Sequence, residues 1–273
     1  MIELLQYGFM QNALITGTLI AITLSTLGVF LVLRRYALLG DGLAHLSFGG
    51  VAAGFLFGLK PLLSATIFAV LGSLGILKLV EKTKIHGDAA IGILSQTSMG
   101  IGIFIISITQ GVNVDIMSYL FGSILAITKT ETITALILTL LALTFIILNY
   151  KKLLAMTFDE ESAKISGVNT QQLNTMLMIL TAITIAISMR ITGLLLVSSL
   201  IIIPAVTATQ IAKSFKQTLI FAGIISTTSV ITGIITSYYI DAATSGTIIL
   251  VTFLIFSTIL VCKKIKKISK KNT

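Results

Sequence analysis

Asp41 and His45, in LLGDGLAHLSFGGVAAG, are an acid and an imidazole set four residues apart in an otherwise apolar stretch. Positions i and i+4 share one helix face, so a carboxylate oxygen and a ring nitrogen can reach the same small cation. That donor pair suits a borderline divalent ion such as Zn2+ or Mn2+ better than Ca2+ or Mg2+. Two ligands are too few for a closed structural site, but they suit an ion that must leave again. The same spacing also fits an internal Asp–His pair that merely locks two helices, and spacing alone leaves both readings open. Ligation needs a neutral imidazole, so acid should weaken it.

The other candidates are weaker. Glu3, Glu81, Asp88, Asp115, Glu131, Asp159, Glu160, Glu161 and Asp241 all fall at the ends of apolar blocks or between them. His86, in KTKIHGD, sits among lysines and reads as a solvated loop residue. Asp241 and the Ser/Thr/Gly cluster after it could line an outer mouth or simply form a turn. The single cysteine, Cys262, allows no internal disulfide and reads as a passive helix-end residue. The sequence holds no G-x-x-x-x-G-K-[ST], C-x-x-C, H-E-x-x-H or G-x-S-x-G. Catalysis, including ATP hydrolysis by the P-loop route, is therefore not expected, and no permanently bound cofactor is either.

The elements that must position Asp41 and His45 follow from composition. Of 273 residues, 55% are apolar and 11% charged, and the apolar ones run in blocks of about 20, the length a helix needs to cross a bilayer. Such a chain is not a soluble enzyme, a DNA-binding domain or a disulfide-stapled module. The fold class is all-α: a polytopic membrane protein of eight or nine transmembrane helices, read as one transmembrane domain over 1–273. The blocks fall near 12–33, 36–58, 61–80, 88–109, 130–150, 171–190, 192–212, 217–239 and 243–262. The least distinct divisions are at Gly40, at Arg190–Gly193 and in the irregular stretch 110–129. The start, MIELLQYGFM, has no basic residue before its apolar run and reads as a retained span.

Threading the blocks alternately puts every basic residue except Lys60, Lys129 and Arg190 on one side. That side is then cytoplasmic, with the N-terminus outside and the tail KKIKKISKKN inside, held by anionic membrane lipid. The net charge of +9 is thereby a record of topology, and nucleic acid is not an expected partner. Counting from Arg35 at about 1.5 Å per residue, Asp41 lies roughly 9 Å into its span and His45 roughly 15 Å, near the midplane. A charge there costs about 3 kcal/mol, so the pair should face a cavity or a partner. Gly49 and Ala53 continue its row, while Gly50, Gly54 and Gly58 form a strip where another helix can approach. Gly40 and Gly42 could bend the helix beside Asp41.

The stretch 151–170, KKLLAMTFDEESAKISGVNT, is the longest loop on the basic side. Asp159–Lys164 read as a short helix closing near Gly167, with Phe158 projecting ahead of an acidic first turn. This pattern suits a docking element for a cytoplasmic partner. The alternative, an amphipathic helix lying on lipid, fits poorly with three acids facing anionic headgroups.

GDGLAHLSFGGVAAG, DAAIGILSQTSMGIGI, VDIMSYLFGSILAIT, MTFDEESAKISGV and MRITGLLLVSSLIIIPAVTA occur in the order found in a known family. Together they resemble the permease subunits of ABC transporters that import zinc, manganese or iron, over nearly the whole chain. GDGLAH with its D-x-x-x-H is similar to the zinc-uptake branch; the manganese branch more often has Ser where this chain has Ala44, and Pro where it has Gly49.

The resemblance implies more than the residues do. It implies a permease homodimer in a bacterial plasma membrane, bound to two cytoplasmic ATP-binding subunits and fed by an extracytoplasmic metal-binding protein. It places the ATPase-coupling segment within 151–170, with Phe158, Asp159, Glu160 and Glu161 as the contact residues. It puts Asp41 and His45 on the translocation path, with Zn2+ or Mn2+ as transported substrate. A different class, a secondary transporter or channel driven by an ion gradient, predicts a second deep charged pair in the other half of the chain. The second half has no deep acid or histidine.

Overall fold

The computed structural model describes residues 7–83, 85–108, 119, 122 and 127–269, with side chains as far as Ile265. Among them the chain forms helices and no strand. These are α1 (Gly8–Leu33), α2 (Leu39–Leu56), α3 (Pro61–Thr83), α4 (Gly87–Ile108), α5 (Lys129–Leu148), α6 (Tyr150–Phe158), α7 (Glu160–Ile165), α8 (Thr170–Thr192), α9 (Leu194–Ile211), α10 (Phe215–Ile240) and α11 (Thr244–Ser269). The nine long ones match the nine apolar blocks, and α6 and α7 are the short pair between the fifth and sixth. Eight of the nine are long and apolar enough to cross a membrane. The ninth is α2, whose apolarity is lowered by Asp41 and His45. Glu3, Asp115, Lys84, the end of the basic tail and most of VDIMSYLFGSILAIT lie outside the described residues.

Burial concentrates on α1 and α2. Helix α1 packs against α10, α9 and α5. Two of its threonines meet threonines of α5 at the same interval of seven: Thr16 donates to Thr132 and Thr23 to Thr139, each at 2.8 Å. Interhelical hydroxyl bonds of this kind fix rotation and register where lipid supplies no hydrophobic drive between helices.

Helix α2 packs against α3, α4, α8 and α9, and its glycines decide how closely. A Cβ on Gly50 or Gly54 would strike Ser64 and its neighbours on α3; one on Gly42 would strike Ile91, and one on Gly49 would strike Ser98, both on α4. The small-residue strip thus does admit α3, but Gly58 is not part of it: it lies beyond the helix in a turn, at φ +66°. The row from Asp41 is also shorter than expected, because α4 covers it at Gly49. Gly40 and Gly42 do not break α2, which runs on from Leu39. They are contact points where a larger residue would push neighbours away.

Two breaks shape the molecule near Asp41. Between α1 and α2, Arg35 takes a positive φ of 63°, and the Tyr36 amide donates back to the Leu31 carbonyl. The five residues 34–38 are therefore a tight turn, and α2 starts three residues later than the apolar block. Between α8 and α9, Gly193 at φ 85° closes one helix and opens the next. That confirms the division at Arg190–Gly193.

Candidate functional site

Asp41 sits in the first turn of α2, where the exposed amides favour a negative charge. One turn on, His45 Nε2 lies 3.4 Å from Asp41 Oδ2, so the i,i+4 spacing does bring the two groups together. The other carboxylate oxygen, Oδ1, accepts a 3.1 Å hydrogen bond from the Ser198 hydroxyl of α9. The acid is thus held on one oxygen and free to share the other with the imidazole and a third party. His45 Nδ1 is buried without a hydrogen-bond partner.

Packing fixes the depth of this pair independently of the turn before it. Ile201 of α9 overlies both Gly28 of α1 and Gly40 of α2. Those two glycines therefore lie at one level. Gly28 is five residues from the last residue of α1, about 8 Å along the axis. Asp41 follows Gly40 at once, so it lies about that far inside the basic face, with His45 one turn deeper. The Asp41 side chain is nonetheless 44% exposed and that of His45 19%. The carboxylate is thus covered on one side and open on the other. Among the described residues no third Asp, Glu, His or Cys joins the pair.

The second site is on the basic face. Asp159 caps α7, accepting a 3.0 Å bond from the Ser162 amide, and the Ser162 hydroxyl bonds the same carboxylate. These bonds, the hydroxyl first, hold its carboxyl below the usual carboxylate range. Gly167 closes the segment at φ 83°. Phe158 projects with 70% of its surface open, and its ring edge meets Phe215 of α10, which also contacts Phe30 of α1. Glu161 is exposed. Glu160 points inward instead: it pairs with Arg34 of the α1 terminus at 3.1 Å and with Lys164 at 3.1 Å.

His86 is exposed between α3 and α4, as a loop residue should be. Asp241 is the left-handed terminator of α10, which supports the plain turn. Three residues come forward that sequence reasoning passed over. Ser198 was visible as one of two adjacent serines in LLLVSSLIIIPA, with nothing to show which faces Asp41. Ile165, 88% exposed on α7, is an apolar residue at the end of a charged hexamer, a signal of something other than solvent. Arg34 gave no signal beyond its charge.

Residues 6–263 match the model of the ABC 3 transport family. The chain is 34% identical over 244 residues to the high-affinity zinc uptake system membrane protein ZnuB of Haemophilus influenzae, covering 89% of this chain and 94% of that one. It is 31% identical over 253 residues to the manganese transport system membrane protein MntC of Listeria innocua, covering 93% and 90%. Its fold superposes on PsaBC from Streptococcus pneumoniae, solved in complex with Fab, with a TM-score of 0.84 at 30% identity, over 94% of this chain and 93% of that one. A family match over almost the full length, joined to a bundle of membrane-spanning helices with the architecture of an ABC importer permease, has one meaning: the chain belongs to the ABC 3 transport family.

Proposed function

We propose that this chain is the membrane permease of an ATP-driven importer for a divalent transition metal, with zinc as the preferred ion. The observation that carries it is the Asp41–His45 pair: two donors 3.4 Å apart on one helix face, about 8 Å inside the basic face, with the carboxylate still open. A sealed ion pair would leave no room for cargo. This one offers an oxygen and a nitrogen to an ion and lacks the further donors that would trap it. A second copy of the chain, facing the first across the open side, brings the set to two oxygens and two nitrogens, which suits tetrahedral zinc. Manganese or iron is the alternative ion, since the same donors accept either with lower selectivity.

The mechanism runs from the outer face inward. An extracytoplasmic binding protein releases the ion between the two permease copies. Asp41 keeps one oxygen fixed by Ser198 and presents the other. His45 supplies its lone pair only while neutral, so acid releases the ion. The basic face is cytoplasmic. There two ATP-binding subunits dock on the exposed Phe158, Glu161 and Ile165, and their closure moves α7. The chain itself supplies no ATPase site.

The test is uptake of zinc, manganese and iron by proteoliposomes holding the permease with its ATPase subunits and binding protein. Zinc should accumulate only with ATP. Asp41→Ala and His45→Ala should each cut uptake at least ~100-fold while the complex still assembles, the loss expected for a direct ligand. Unchanged uptake in both variants would remove Asp41 and His45 from the path. Accumulation driven by an ion gradient without ATP would make the chain a secondary transporter.

A further inference from the structure

Arg34 is the residue that closes α1, and its side chain is only 7% exposed. Its guanidinium meets three partners. Nη1 donates to Asn174 Oδ1 of α8 at 2.6 Å, Nη2 donates to Glu160 Oε2 of α7 at 3.1 Å, and the cation lies 5.8 Å from the centre of the Tyr36 ring. One planar group thus joins α1, α7, α8 and the turn that leads into α2. The turn is itself tightly bonded, from Arg34 through the Tyr36 amide to the Leu31 carbonyl and from the Leu39 amide to the Tyr36 carbonyl. Asp41 follows within seven residues.

We propose that Arg34 is the positioning residue that transmits movement of α7 to the helix carrying Asp41 and His45. Glu160 is then the receiving end of a strut, held from the far side by Lys164, and not a contact made for the ATPase. A recess of about 460 Å3 opens beside it, lined by Arg34, Arg35, Tyr36, Met156, Phe158 and Glu160, and gives α7 room to travel against the end of α1. The aromatic chain Phe158–Phe215–Phe30 runs parallel to the strut and reaches α1 one turn earlier. It guides α7 but, being ring edges, holds no direction. The guanidinium holds both distance and direction, because its donors form a fixed fork. Displacing α7 therefore tilts the 34–38 turn, and with it the first turn of α2, relative to Ser198 on α9.

This inference rests on the transport reading and adds the route by which ATP hydrolysis reaches the metal pair. Arg34 borders the recess with only 7% of its side chain exposed, so affinity for the ATPase is measured beside coupling to separate a lost contact from a lost strut. The experiment measures zinc moved per ATP hydrolysed in the complete reconstituted transporter, alongside the affinity of permease for ATPase. Arg34→Gln and Glu160→Gln should leave assembly and ATP hydrolysis near wild type and cut zinc per ATP by about tenfold, the scale of a coupling interaction. Arg34→Lys, which keeps the charge and loses the fork, should fall between. The double variant should be no worse than either single one, as for two ends of one connection. An unchanged ratio in the single variants, losses that multiply in the double variant, or failure of both to assemble each overturns the strut while wild-type uptake stands. A wild-type complex that moves no metal on ATP overturns the transport reading, and the strut with it.

Discussion

The α2–α9 contact around Asp41 and the α6–α7 segment at the basic face are both short polar stretches in an apolar protein, yet they are built oppositely. Around Asp41 the neighbours are the smallest residues available. Glycines at 40, 42 and 49 let α9 and α4 close on α2, Gly28 lets α9 close on α1, and the Ser198 hydroxyl reaches the carboxylate. Around α7 large side chains stand out from the surface, with Phe158 at 70% and Ile165 at 88% exposure. Close packing holds a ligand pair in a fixed geometry with little cost in side-chain entropy. Protruding apolar groups leave a face that only a partner can cover. One region is packed within the chain, and the other leaves its apolar side chains open.

Breaking the packed region should do the most damage. Gly28→Ala places a Cβ against the Ile201 carbonyl, a backbone atom that cannot rotate aside. We expect a loss of about 1–3 kcal/mol in stability, read as a lower unfolding temperature in detergent, with zinc uptake falling in step. Gly100→Ala is the control, since nothing lies within 4 Å of its Cβ position. It should be neutral or slightly stabilising. Equal behaviour of the two would show that the contact at Gly28 does not govern how α1, α2 and α9 meet. Next in size is the protruding region. Phe158→Ala together with Ile165→Asp should weaken binding of the ATPase subunit by about 30-fold with no change in unfolding temperature, as measured by surface immobilisation of the permease in nanodiscs. A fall in stability without a fall in affinity would mean that these residues belong to the fold.

How much of this was legible from sequence divides along the same line. All nine long helices were visible as apolar blocks, because a bilayer forces each backbone segment to satisfy its own hydrogen bonds. Asp41 and His45 were visible because a charge in such a block is costly. Phe158 and Asp159 were visible because helix starts have a local grammar. What sequence concealed were the contacts between distant helices. Ser198 is 157 residues from Asp41 and Arg34 is 126 from Glu160, and no periodicity records such pairings. For that reason the pairing of Glu160, one of three adjacent acids, with Arg34 was hidden. Gly40 and Gly42 misled for a related reason: glycine marks close approach as readily as a bend, and only the neighbouring Ile201 and Ile91 distinguish the two.

Ser198 offers a finer test within the packed region. Its hydroxyl also reaches the Leu194 carbonyl at 3.3 Å, an acceptor the helix backbone already serves, so removing it leaves no backbone group unpaired. Ser198→Ala should therefore fold as the wild type and lower zinc affinity about tenfold, the usual cost of losing a group that orients a ligand. Ser199→Ala, one position along and bonded to the Leu195 carbonyl of its own helix, should change nothing. Zinc affinity measured by competition with a fluorescent chelator separates the two, and equal affinities would take Ser198 out of the site.

The smallest effect should come from Asp159, in the protruding region. Its carboxylate accepts bonds from both the Ser162 amide and hydroxyl, and the folded state thereby lowers its pKa. A depressed acid adds stability that is complete above the ordinary carboxylate value and fades as the pH falls through the lower folded value. At neutral pH the cap is therefore at full strength, and acid strong enough to protonate it loosens the first turn of α7. The side chain is fully exposed, so the consequence is local. Asp159→Ala should raise amide exchange across residues 160–165 by about threefold at neutral pH. ATPase affinity should drop less than it does for Phe158→Ala, because the cap shapes the segment while Phe158 is its contact surface. If Asp159→Ala cost as much affinity as Phe158→Ala, the charge itself would be touching the partner, and the acidic turn would be part of the docking face as well as the start of a helix.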